Sequence, residues 1–153
     1  MHTRRLFLSL FATSFLAGTI GALPAHAGQS PVFATNGVAI HGYDPVAYFT
    51  MSKPVEGDAA ITSVLEEATF RFANAEHKAL FDADPAKYAP KYGGYCAYAV
   101  SKGATAMTVP EAWSIHDGRL YLNYSTGVRR TWLKDVAGNI QRADANWPGV
   151  LGP

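Results

Sequence analysis

Polar and apolar positions alternate most cleanly at Ala68-Thr69-Phe70-Arg71-Phe72. Phe70 and Phe72 fall on one face, Thr69 and Arg71 on the other. A period of two predicts a half-buried strand there, with a partner strand over Thr62–Glu66. A second alternating pair, Trp113–His116 and Arg119–Tyr124, flanks Asp117-Gly118. That dipeptide between alternating runs is a strong hairpin signal, and it points Trp113, Ile115, Leu120 and Leu122 to the buried face. Helical spacing appears elsewhere. Asn74 predicts the N-cap of a helix carrying Leu80 and Phe81 on its apolar side. Asp84-Pro85 predicts the start of a further short helix that ends at Pro90. Val128, Trp132, Leu133 and Val136 predict a helix from Val128 to Gly138, and Ile140, Trp147 and Leu151 a packed tail. Gly42 to Pro45 reads as a turn, and Lys91–Gly103 as a helix or a packed turn. Strands, helices, a hairpin and further helices, in that order, predict a small single α+β domain.

The first 27 residues change how the rest is read. Arg4-Arg5 precedes an apolar run from Leu6 to about Leu23, and Ala25-His26-Ala27 supplies an A-x-A ending. This predicts an export signal over residues 1–27, cleaved near Ala27, and hence a periplasmic protein. Thr3-Arg4-Arg5-Leu6-Phe7-Leu8 follows the twin-arginine pattern, so the segment is twin-arginine-like. Residues 28–36 read as a flexible leader and residues 37–153 as the domain. No second apolar run is long enough to span a bilayer, so no membrane span is expected after cleavage.

Composition narrows the partners. The whole chain carries a net charge of +1. Its first 27 residues hold two arginines and no acid, so the remainder lies near −1. Neither figure makes the basic patch that a nucleic-acid partner requires. Cys96 is the only cysteine of the chain. A lone thiol in an oxidising compartment is unusual, because exported chains tend to pair their cysteines or omit them.

Four stretches then carry a resemblance. They are GYDPVAYF at Gly42–Phe49, FRFANAEHKALFDADPAKYAPKYGGYCAYAVSKG at Phe70–Gly103, WSIHDGRLYLNY at Trp113–Tyr124 and ADANWP at Ala143–Pro148. In order and spacing the chain resembles the YHS-domain family, and more closely its secreted bacterial branch. The resemblance implies a small domain associated with metal handling, copper above all. Pump-associated members carry paired cysteines. This chain has none at Asp44–Tyr48 or Phe70–Asn74, so their thiolate site does not carry over residue by residue. Selenocysteine in some relatives of the secreted branch implies an active chalcogen, without placing it on Cys96.

Cys96 keeps three readings: a small buried hydrophobe, a soft ligand for Cu(I), or a thiol activated by a helix N-terminus or by Lys91 or Lys102. The candidate metal ligands are Cys96, His77, His41 and Met107, with His77 the preferred partner for the sulfur. No two of these share a ligand spacing within one helix, so the fold has to assemble any site. The expected function is reversible binding of a soft metal ion, copper favoured, for sequestration or delivery to metal-transport proteins. A redox enzyme using Cys96, and a small-ligand or protein-binding module in which Cys96 only packs, are the alternatives. Eight tyrosines are read as core rings, or else as a hydroxyl-rimmed pocket near Cys96.

Overall fold

The computed structural model describes residues 28–153; the export signal expected over residues 1–27 lies outside the described residues. Six strands and six α-helices form an α+β domain. In chain order they are β1 (Ala34–Thr35), β2 (Val38–Ala39), α1 (Ala47–Thr50), β3 (Asp58–Leu65), β4 (Ala68–Phe72), α2 (Ala75–Ala83), α3 (Pro85–Tyr88), α4 (Ala97–Ser101), β5 (Trp113–His116), β6 (Arg119–Leu122), α5 (Thr126–Trp132) and α6 (Val136–Asn146).

One sheet runs β1-β2-β4-β3, and β5-β6 is a separate hairpin. β2 pairs with β4 in parallel at Val38↔Thr69, whereas the other pairs are antiparallel. In β4 the alternation holds: Phe70 and Phe72 are buried beside Phe81 of α2, at ring distances of 5.1 Å each. The caps expected from sequence also form. Asn74 accepts the His77 N–H at the start of α2, and Asp84 accepts from Lys87 N at the start of α3, with Pro85 in its first turn.

Three expectations are corrected. Ile115 is exposed at the hairpin's rim although it pairs across to the buried Leu120. β6 itself is covered on both sides. Leu120 and Leu122 enter a core with Tyr48, Phe70, Phe72 and Phe81, while Tyr121 enters a second with Tyr92, Val100, Trp132 and Ala143. A strand between two cores does not alternate. Secondly, the helix expected over Val128–Gly138 is broken. A 3-10 turn spans Leu133–Asp135, and Asp135 leaves helical geometry to cap α6 by accepting the Gly138 N–H at 3.0 Å.

The third correction concerns the leader. Val32 is buried, Phe33 N–H donates to Gly93 O at 2.9 Å, and Ala34–Thr35 pairs with Val38–Ala39. Its physical reason lies in the Gly93-Gly94 pair. Gly93 has φ +60, and a Cβ there would stand 1.9 Å from the Pro31 carbonyl oxygen. Gly94 has φ +86, and its Cβ would meet Ile40 Cγ2 at 2.6 Å. Only glycine admits both the left-handed backbone and this approach. The glycines therefore clamp the leader against the Tyr92–Tyr95 turn.

Candidate functional site

The four candidate ligands divide into three environments. Cys96 sits at the N-cap of α4 and is 1% exposed. Its thiol donates weakly to Asn123 Oδ1 at 3.6 Å, and its sulfur accepts the Tyr124 N–H at 3.3 Å. The same Asn123 oxygen accepts the Tyr98 N–H at 3.2 Å. Cys96 N–H donates to Ala106 O at 3.0 Å. The sulfur thus ties the start of α4 to the end of β6. Neither expected lysine supplies charge at the thiol: Lys91 pairs with Asp144 at 3.5 Å, and Lys102 lies over the Tyr98 ring.

His77 occupies a different place. It is 6% exposed, against the alternative of an exposed helical histidine. Its Nδ1 donates to Asp44 Oδ2 at 2.6 Å, and its Nε2 pairs with Thr50 Oγ1 at 3.0 Å. Asp44 is fully buried and also accepts from Val46 N at 2.8 Å, Ala47 N at 3.3 Å and Ala73 N at 2.9 Å. Both ring nitrogens are engaged, so no lone pair is left for a metal without breaking a buried network. The order carboxylate, imidazole, hydroxyl matches that of a nucleophile relay. Here, however, the Thr50 hydroxyl turns back onto Val46 O at 3.2 Å within its own helix. The arrangement joins α1 to the junction of β4 and α2. Sequence reasoning placed Asp44 only within a turn and gave His77 a ligand role; their pairing across 33 positions carried no sequence signal.

His41 and Met107 are both exposed. The His41 Nε2 donates to the backbone oxygen of Thr108 at 2.8 Å, and Met107, which precedes Thr108 in the chain, is 48% exposed. His41 Nδ1 has no protein partner among the described residues. Phe33 packs edge-on against the imidazole at 5.2 Å and against Tyr95 at 5.7 Å. The backbone below is strained: Ile40 has φ 42 and His41 φ 59. Left-handed geometry at a β-branched residue is an outlier that costs of order 1–3 kcal/mol.

Among the described residues, no group of three or more His, Cys, Asp and Glu side chains stands close enough to hold a metal. Among the described residues the bonded tyrosine hydroxyls have partners other than Cys96: Tyr95 donates to Ser30 O, Tyr92 to Asp144, Tyr48 to Pro110 O and Tyr43 to Glu56. Burial pushes the Tyr48, Tyr92, Tyr95 and Tyr121 phenols above their ordinary value of 10.0, with Asp144 adding to the effect at Tyr92 and Tyr121. No family model, curated protein or solved structure matches this chain.

Proposed function

We propose that this is an exported, non-enzymatic module that binds a soft metal ion as cargo, copper favoured, at the His41–Met107 edge rather than at Cys96. The observation that carries this reading is the bond from His41 Nε2 to Thr108 O, which ties the imidazole to the residue that follows the exposed Met107 in the chain. Thioether and imidazole are the donor types that Cu(I) accepts. His41 Nδ1 keeps its lone pair for a metal, because Nε2 donates to the backbone and fixes that tautomer, as outer-shell partners commonly do for metal-binding histidines. The strained Ile40–His41 backbone supports the same reading, since strain of this kind gathers at functional positions. Two ligands on an open edge hold an ion loosely enough to pass it on, which suits delivery to a metal-transport partner in the periplasm. The thiol-redox reading draws no support from a sulfur that is 1% exposed.

Cu(I) titration against a competing chelator tests the proposal. Wild-type protein is expected to take up one equivalent. His41→Ala and Met107→Ala are each expected to weaken binding tenfold or more, and Cys96→Ala to leave it unchanged. Uptake that vanishes in Cys96→Ala and survives both surface variants would sink this assignment.

A further inference from the structure

A cleft of about 470 Å³ opens between the C-terminal end of α1, strand β5 and the helical segment that begins with α5. Its lining is mixed: Phe49, Trp113, Ile115 and Leu133 supply the apolar part, with the Tyr48 ring 5.4 Å from Trp113, and Ser52, Ser114 and Arg129 supply the polar part. The Tyr48 hydroxyl is committed to Pro110 O at 3.1 Å. Ile115 and Leu133 are 37% and 44% exposed. The volume falls within the range of ligand sites.

The only charged residue among those lining the cleft is Arg129. Its Nε donates to Ser114 Oγ at 2.9 Å, and Ser114 is 6% exposed. That bond orients the guanidinium with a neutral partner. Among the described residues no carboxylate pairs with Arg129. A guanidinium has five N–H donors, and the terminal four form the fork that grips a carboxylate bidentately.

We propose that this cleft binds a small amphipathic monocarboxylate, an aromatic or short aliphatic acid whose apolar body lies against Trp113 and Phe49 and whose carboxylate meets Arg129. Charge and surface together select this class. A neutral apolar ligand covers Arg129 without pairing it, which is costly for a cation removed from water. A cation is repelled. Inorganic phosphate finds a single guanidinium and leaves the apolar walls unused. The site is separate from the His41–Met107 edge and does not depend on the metal reading.

The test uses metal-free protein with chelator present and follows backbone amide NMR shifts and Trp113 fluorescence on adding phenylacetate, octanoate, phenylacetamide or inorganic phosphate. Saturable shifts confined to the cleft are expected with the two acids, and binding at least tenfold weaker with the amide and with phosphate. Arg129→Gln is expected to lose tenfold or more in affinity for phenylacetate, and Arg129→Lys to lose less. Leu133→Glu places a carboxylate at an exposed wall position and is expected to weaken acid binding tenfold or more, with circular dichroism confirming that the variant is folded. Equal affinity for phenylacetate and phenylacetamide overturns the proposal. So does an Arg129→Gln protein that binds as wild type, or the absence of saturable shifts with both acids up to about 10 mM, a concentration that would reveal even millimolar affinity.

Discussion

Asp44 accepts hydrogen bonds from three backbone N–H groups and one imidazole while fully buried. Removing one partner of a buried, paired carboxylate is expected to cost about 3–5 kcal/mol, because the others lose their acceptor in a region water cannot reach. Asp44→Ala should therefore remove a large part of a typical stability of about 5–15 kcal/mol. Urea unfolding measures this, and a loss below about 1 kcal/mol would show that the network is not what joins α1 to α2. Cys96 leads to a separate expectation. Its sulfur is inaccessible and holds Tyr124 N–H and Asn123 in place. A thiol-reactive probe should leave the folded protein unmodified and label one equivalent after denaturation. Rapid labelling of the native state would restore the reactive-thiol reading.

At the scale of elements, the junction between α5 and α6 depends on Asp135. Its carboxylate is held below its ordinary value of 3.8, first by the Arg142 side chain and then by the Gly138 N–H at the cap. A depressed folded-state value means stability that is present above the unfolded value and lost as pH falls through the folded one. Asp135→Asn keeps a capping oxygen but not the charge. The difference in urea midpoint between wild type and Asp135→Asn should be visible at neutral pH and shrink once pH drops below about 3.8. A difference that persists unchanged in acid would assign the effect to something other than this carboxylate. The same junction shows why spacing alone misjudged the helix. Val128, Trp132, Leu133 and Val136 satisfy one helical face, yet Leu133 is 44% exposed and the chain turns beneath it. An aspartate able to cap is indistinguishable in sequence from one on a solvated helix face until its own backbone is seen to leave helical geometry.

The whole molecule rests on two cores that share strand β6, and its buried phenols couple them to pH. Tyr48, Tyr92, Tyr95 and Tyr121 all have their ionisation raised above the ordinary 10.0, chiefly by burial. A raised folded-state value gives stability that is complete below the unfolded value and is lost as pH rises, because the unfolded chain then releases protons that the fold retains. The urea midpoint should therefore fall between pH 7 and about 11. Phenolate absorbance from these four rings should appear together with loss of the fold. Ionisation of all eight tyrosines near pH 10 with near-ultraviolet circular dichroism intact would contradict the two-core account.

Local features of the sequence were enough for the α+β class, strand β4, the Asp117-Gly118 hairpin and the caps at Asn74 and Asp84. Each depends on residues a few positions apart, where periodicity and backbone preference act directly. The candidate residues were legible as types but not as a site. Whether His77 offers a lone pair depends on Asp44, and where the His41 ring is held depends on a bond to Thr108, each partner distant in the chain. Those relations exist only after the glycine pair admits the leader and the two cores close around β6. Tertiary packing alone decided that Cys96 is structural in its contacts, that His77 is spent on Asp44 and Thr50, that His41 and Met107 are exposed, and that a half-buried Arg129 has no carboxylate partner among the described residues. The physical reason is that hydrogen-bond satisfaction and burial are properties of neighbours in space, to which neighbours in sequence give no access.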